Sequence, residues 1–280
     1  MKKAAWSFLA FAVAFPYLAA TSALAQDGRV IDEEIVLMDP TVSAPQKWAA
    51  GASAEYWYMA GPYKTKNAAG EVTAKGNING SIPGGNVFIG YDKFTLQYSH
   101  REGFLNIKQT DTDNTNVIYN SKDRQIEEEV TLRYLFKANK HLSPYVLVGY
   151  NETSLEVRKE IEANSGFVWA YNMTRFHGER TTYSSGLVGL GAIVPLNERI
   201  GFRADGRLLY TRAVYARDDQ NLTRSGSGIG GGATGTVYVN IVKGLNVQAG
   251  LKGQVLNGGK NVGAYGRIGM FASAGYSHKF

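Results

Sequence analysis

Ser99 and His100 are the nearest approach in this sequence to a nucleophile beside a base. An imidazole within hydrogen-bond reach can activate a hydroxyl for acyl transfer. The segment around them alternates, however, with Phe94, Leu96 and Tyr98 set against Thr95, Gln97 and Ser99. That is strand spacing, and adjacent residues on a strand face opposite sides, so the two groups are held apart and His100 reads as an interfacial side chain. Asp111 and Asp113 are spaced as paired carboxylates can be for acid–base work. With no imidazole beside them they read as solvated loop charges. The histidines His100, His141, His177 and His278 are scattered, with no HxH or HxxxH pair to hold a metal. The glycine run Gly226 to Gly235 opens a strand rather than a helix, which argues against a phosphate-cradling loop. There is no cysteine, hence no thiolate chemistry, disulfide or lipidation site. The expectation is a protein that is not an enzyme, with no cofactor and no metal.

The elements that would position any chemistry begin with an export leader. Lys2 and Lys3 precede an apolar run from Ala4 to Ala20, and Ala23-Leu24-Ala25 supplies a small-x-small cleavage site, so residues 1–25 read as a signal peptide. Residues 26–46 carry an acidic patch and prolines without alternation and read as a linker-like leader. Residues 47–280 form one domain. Loss of the signal lowers the net charge from +6 to +4, too small and dispersed an excess to argue for nucleic acid.

Within the domain the dominant signal is a period of two. Ten strands are expected: Lys47 to Met59, Gly85 to Tyr91, Phe94 to about Lys108, Arg124 to Phe136, Tyr145 to about Glu152, Thr182 to Val194, Ile200 to Tyr210, Gly228 to Val242, Leu245 to Val255, and Ala264 to Phe280. The strand from Ile200 is the cleanest, with Phe202, Ala204, Leu208 and Tyr210 on one face and Arg203, Asp205 and Arg207 on the other. The strands from Tyr145 and Thr182 are apolar on both parities, which leaves their facing open. Links near Asp92, Lys137 to Pro144, Pro195 to Arg199 and Lys243-Gly244 are short. Ala60 to Gly84, Gln109 to Asp123, Thr153 to Thr181 and Thr211 to Ser227 are longer and polar. The 33 glycines suit curved, closely packed strands, and the 17 tyrosines suit an interface.

The last strand has Tyr276, Ala274, Ala272, Met270 and Ile268 on one parity and a terminal Phe280. It resembles the closing strand of Gram-negative outer-membrane β-barrels, and the alternation of short turns with long loops resembles that class along the whole mature chain. The resemblance implies an all-β fold, a transmembrane antiparallel up-and-down barrel of about ten strands, with eight and twelve the neighbouring even counts. It implies location in the cell outer membrane, contact with lipid and lipopolysaccharide, and reading of Tyr276 and Phe280 by the barrel-assembly machinery. In size and topology the chain is also similar to the ten-stranded omptin proteases, and Asp111-Thr112-Asp113 lies where that family carries a paired-carboxylate element. The family's Asp-x-His element is missing, because the fourth outer loop reads Ala216-Arg217-Asp218-Asp219-Gln220-Asn221.

The wet parity assigns Glu55, Arg101, Glu127, Glu129, Arg133, Arg203, Asp205, Arg207, Lys252 and Arg267 to the lumen. Mixed charges in a narrow barrel pair with one another. If the lumen conducts, the basic excess favours anions. The third outer loop places Phe167, Trp169, Tyr171, Arg175 and Phe176 in a charged setting, an expected interaction surface. Two functions are therefore expected: a narrow porin-like channel for a small solute, or a non-conducting barrel that presents its loops. A surface hydrolase is the weakest reading.

Overall fold

The computed structural model describes residues 48–66, 71–113, 117–136, 142–164, 173–175, 178–197, 199–218, 221–242 and 244–279. Residues 1–47, which include the segments read as a signal peptide and a leader, and Phe280 lie outside them. The described residues contain eleven strands: β1 (Trp48–Lys66), β2 (Val72–Tyr91), β3 (Phe94–Asp111), β4 (Val117–Leu135), β5 (Ser143–Asn164), the short β6 (Met173–Arg175), β7 (Glu179–Pro195), β8 (Ile200–Arg217), β9 (Leu222–Val242), β10 (Leu245–Asn257) and β11 (Ala264–Lys279). A four-residue helical turn, α1 (Gly259–Val262), joins the last two. Every pairing is antiparallel. Ten strands follow chain order around the wall, β4 pairing with β5 so that Val130 faces Tyr150, and β1 on β11, Ala54 facing Ala274, closes it. Closure leaves the ten-strand wall no unpaired edge among the described residues, which is the condition for a strand to enter hydrocarbon.

The strands run well past the lengths read from alternation. β1 continues to Lys66 and β2 begins at Val72, so most of Ala60 to Gly84, expected as a loop, is paired sheet with Ala60 opposite Asn79. β4, β5, β7, β8 and β9 are lengthened at the same end. A 19-residue strand such as β4 rises about 48 Å along the axis at ~3.3 Å per residue and a ~40° tilt. The apolar band of an outer-membrane barrel is only ~25 Å tall. The wall therefore stands above the membrane on the long-loop side.

The exterior shows where the membrane lies. Val87, Ile89, Leu96, Leu132, Val148, Val188, Leu190 and Leu208 are all exposed on the outer face. Tyr56, Tyr58, Tyr98, Tyr150 and Tyr210 fringe this belt toward the long loops, and Trp48, Tyr91, Phe94, Phe136 and Tyr276 toward the short turns. Aromatic girdles at both interfaces are the expected anchors of such a wall. The facing left open by the sequence is settled here: Val148, Tyr150, Val188 and Leu190 look out, while Tyr145, Leu147, Leu155, Tyr183 and Leu187 are buried inside. Among the described residues no helix is long and apolar enough to cross a membrane.

Beyond the belt the pattern changes sign. On β3 the outer face is apolar through Phe94, Leu96 and Tyr98 and the inner face polar through Thr95, Gln97, Ser99 and Arg101. Past Gly103 the inner face carries Leu105 and Ile107, and the outer face Asn106 and Lys108. The same inversion appears on β2, where Ile78 and Ile82 are fully buried and Lys75, Asn77 and Asn79 are exposed.

Candidate functional site: the barrel interior

The inner face of β4 organises the lumen. Alternation points Gln125, Glu127, Glu129, Thr131 and Arg133 inward, all buried, and sends Glu128 outward. Each of the first three reaches strands that are not its neighbours. Gln125 Oε1 accepts a hydrogen bond of 2.9 Å from the Tyr265 hydroxyl of β11. Glu127 is fully buried and receives three cations: Arg101 of β3 at 3.0 Å, Lys252 of β10 at 3.2 Å, and Arg267 of β11. Glu129 receives Arg207 of β8 at 2.9 Å. One strand thus ties the opposite wall to itself with charge-assisted bonds, the strong kind.

The remaining charges join this network. Arg101 grips Glu55 through two nitrogens, at 2.8 and 3.1 Å. Arg207 also donates to Asp205 at 2.6 Å, and the Tyr145 hydroxyl donates to the same carboxylate at 3.3 Å. Arg133 donates to Gln97 at 2.9 Å, and Arg203 to Gln248 at 3.2 Å. All ten side chains assigned to the lumen by parity therefore lie inside the barrel, bonded in neighbouring groups about Glu127, Glu129, Gln97 and Gln248. A cavity of about 50 Å³ lies within this charged layer. Arg101, Glu129, Arg133, Arg203, Asp205 and Lys252 line it, together with Ser53, Ser273, Phe88 and Phe271.

On the long-loop side the charged layer is covered by an apolar one. Trp57 is fully buried at the boundary, with Lys252 Nζ 4.6 Å and Arg267 Cζ 4.7 Å from its ring centroid. Cations over an indole face are held by the ring quadrupole, which lets one side chain serve both layers. Gly269 makes room for it: a Cβ there would fall 1.9 Å from the Tyr58 carbonyl oxygen and 2.8 Å from Trp57 Nε1. Above Trp57 the lumen is filled by Met59, Ile78, Ile82, Leu105, Leu209 and Leu256, each at most 1% exposed. Tyr183 and Tyr265 stack across it with centroids 6.1 Å apart.

This apolar fill, together with Gln97, Gln125, Gln248, Tyr145 and Tyr265, is what sequence reasoning missed. Its signal was present in β1, where Tyr56, Trp57, Tyr58 and Met59 are apolar on both parities, so both faces must be dry.

Ser99 is buried inside, accepting from Gln97 Nε2 at 3.1 Å, while His100 is exposed outside with Nδ1 3.4 Å from Glu128. The two stand on opposite faces of β3. Asp111 ends β3, and its carboxylate accepts from the Asp113 backbone N–H at 2.8 Å, a local turn bond. The glycine run lies within β9. At the rim Arg217 pairs with Glu179 at 3.1 Å, and burial with the nearby Glu179 carboxylate raises the Tyr215 phenol above its ordinary pKa. Phe167, Trp169, Tyr171 and Phe176 lie outside the described residues, as does Phe280. Arg175 falls in β6, which pairs with β5. Tyr276 is exposed on the outer face of β11. Among the described residues no group of His, Asp and Glu is arranged to hold a metal.

No protein-family model and no curated protein sequence matches the chain. Solved structures do. The outer membrane protease OmpT of Escherichia coli superposes with a TM-score of 0.56 at 10% identity, over 84% of this chain and 97% of that one. The outer membrane protein OprG of Pseudomonas aeruginosa gives 0.42 at 12% identity, over 85% and 98%. The attachment invasion locus protein Ail of Yersinia pestis gives 0.34 at 13% identity, over 83% and 99%. The chain has the fold of a Gram-negative outer-membrane β-barrel.

Proposed function

We propose that this chain is an integral outer-membrane barrel that is closed to ions through its middle and works through what its long-loop side presents. The narrow solute channel suggested by the inner-face charges is the reading it displaces. The observation that carries the proposal is the pair of unlike seals across one lumen. A charged layer pinned on Glu127 is roofed by an apolar layer in which Trp57, Met59, Ile78, Ile82 and Leu105 are wholly buried. An ion would have to wet the second seal and break the first, and apolar constrictions block conduction until they are wetted.

The apolar exterior and the closing strand support residence in the outer membrane, with lipid and lipopolysaccharide against the outer wall. Tyr276 and the terminal Phe280 are the features the assembly machinery would read. We take the protein to be a non-enzyme, on the ground that the segment Ala216 to Asn221 holds no imidazole to act as general base.

Single-channel recording of the refolded mature protein in a planar bilayer tests the reading. The wild type is expected to give no discrete openings, and Trp57→Gly with Ile82→Gly to give them, each protein first shown to be folded by its heat-modifiable mobility. Wild-type openings whose ion selectivity shifts in Arg203→Ala with Arg207→Ala would overturn the closed-barrel proposal and restore the channel.

A further inference from the structure

We infer that the cavity within the charged layer is a binding site for a small oxyanion, a property beyond the closed-barrel reading and independent of it. The first ground is charge. The cavity is lined by the cations Arg101, Arg133, Arg203, Arg207 and Lys252 and by the carboxylates Glu55, Glu129 and Asp205. Adding Arg267 and the buried carboxylates Glu127 and Asp123 behind them leaves an excess of one positive charge. Burying uncompensated charge costs several kcal/mol per ion, so an anion inside this layer is favoured.

The second ground is preorganisation, and it is built twice over. Arg133 of β4 donates to Gln97 Oε1 at 2.9 Å, and the Gln97 amide nitrogen is fixed by Ser99 Oγ at 3.1 Å. Arg203 of β8 donates to Gln248 Oε1 at 3.2 Å, and the Gln248 amide nitrogen is fixed by Asn246 Oδ1 at 3.2 Å. In each case a neutral amide positions the guanidinium, with the Asp205 carboxylate acting on both, and the amide is itself held by the residue two positions away on the same strand. Two guanidinium groups from different strands are thereby aimed into one cavity, near enough for their charges to act on each other. A guanidinium presents a planar fork of donors suited to two oxygens of one anion.

The third ground is space and further donors. About 50 Å³ is room for roughly three or four waters at ~10–15 Å³ each, and so for a phosphate, sulfate or carboxylate group. The lining also includes the hydroxyls of Ser53 and Ser273, which can donate to an anion, while the long-loop side is closed by the apolar roof.

The test is calorimetric titration of the folded mature barrel in detergent with sodium phosphate, and separately with sodium acetate, at constant ionic strength. Saturable binding is expected for at least one of them. Arg133→Gln with Arg203→Gln should weaken it by about tenfold or more, the scale of a lost charge-assisted hydrogen bond. Arg212→Gln, on the exposed outer face, should leave it unchanged. Phosphate without acetate would identify a tetrahedral polyanion, and both together a general oxyanion site. Absence of saturable heat with either salt would overturn the inference, as would equal binding by the double variant. If the double variant fails to fold, Arg203→Gln alone carries the comparison.

Discussion

Replacing Glu127 by Gln is the sharpest test of how this barrel is held together. The carboxylate is fully buried and meets Arg101, Lys252 and Arg267. Arg101 keeps Glu55 as a second partner, so the substitution strands two cations, Lys252 and Arg267, beside a neutral amide. Removing one member of a buried pair costs about 3–5 kcal/mol, chiefly because the other is left uncompensated. With two stranded, Glu127→Gln should cost at least about 5 kcal/mol. Glu55→Gln strands none completely, since Arg101 retains Glu127, and should cost about 1–3 kcal/mol. Adding Lys252→Met to Glu127→Gln removes one orphaned charge and should recover part of the loss, a coupling that only residues sharing a network show. The assay is denaturant unfolding of the protein folded into lipid vesicles, followed by tryptophan fluorescence, to which Trp57 reports directly because both cations lie over its ring. A loss below about 1 kcal/mol for Glu127→Gln, or equal losses at Glu55 and Glu127, would refute the view that β4 anchors the opposite wall.

Two further outcomes follow from the exterior and the turns. Leu190→Arg, at a position 68% exposed on β7, should cost about 2–4 kcal/mol of folding into a bilayer if it faces the hydrocarbon midplane. In a water-soluble barrel the same change would be nearly neutral, so folding equilibria in vesicles decide between the two. Gly244→Ala, at a left-handed turn residue with φ 83° whose new Cβ would meet the Ser277 carbonyl oxygen at 2.4 Å, should cost about 1–2 kcal/mol or more and slow β9–β10 closure; unchanged refolding kinetics would contradict it.

Alternation made the barrel legible because hydrocarbon outside and charge inside are the largest contrast two faces of a strand can have. β8 shows it best: Arg203, Asp205 and Arg207 read as inward from sequence, and they lie inside. The segment from Ala60 to Gly84 reads as a loop because it is long and polar, and in the structure its alternation carries the opposite sign, with Ile78 and Ile82 inside and Lys75, Asn77 and Asn79 outside. A pattern judged against a lipid-facing template disappears where the outer solvent becomes water. The network partners Gln125, Tyr145 and Tyr265 were illegible for another reason: their bonds cross the lumen between strands distant in sequence, and parity reveals a face but no depth.

The sign inversion on β3 divides the molecule between two solvents. Below Tyr98 the wall faces lipid, so transfer of its outer side chains from an unfolded chain in water to the bilayer is a partition between phases. Above it, burial of Leu105, Ile107, Ile78 and Ile82 beneath a hydrated exterior withdraws oil from water within the protein itself. That upper storey is a small water-soluble core built on a membrane foundation. Both transfers take apolar surface out of water and share one heat-capacity sign, but only the lower one has the lipid as its second phase. Substitutions in the two storeys should therefore separate by their dependence on lipid chain length even where they agree in size.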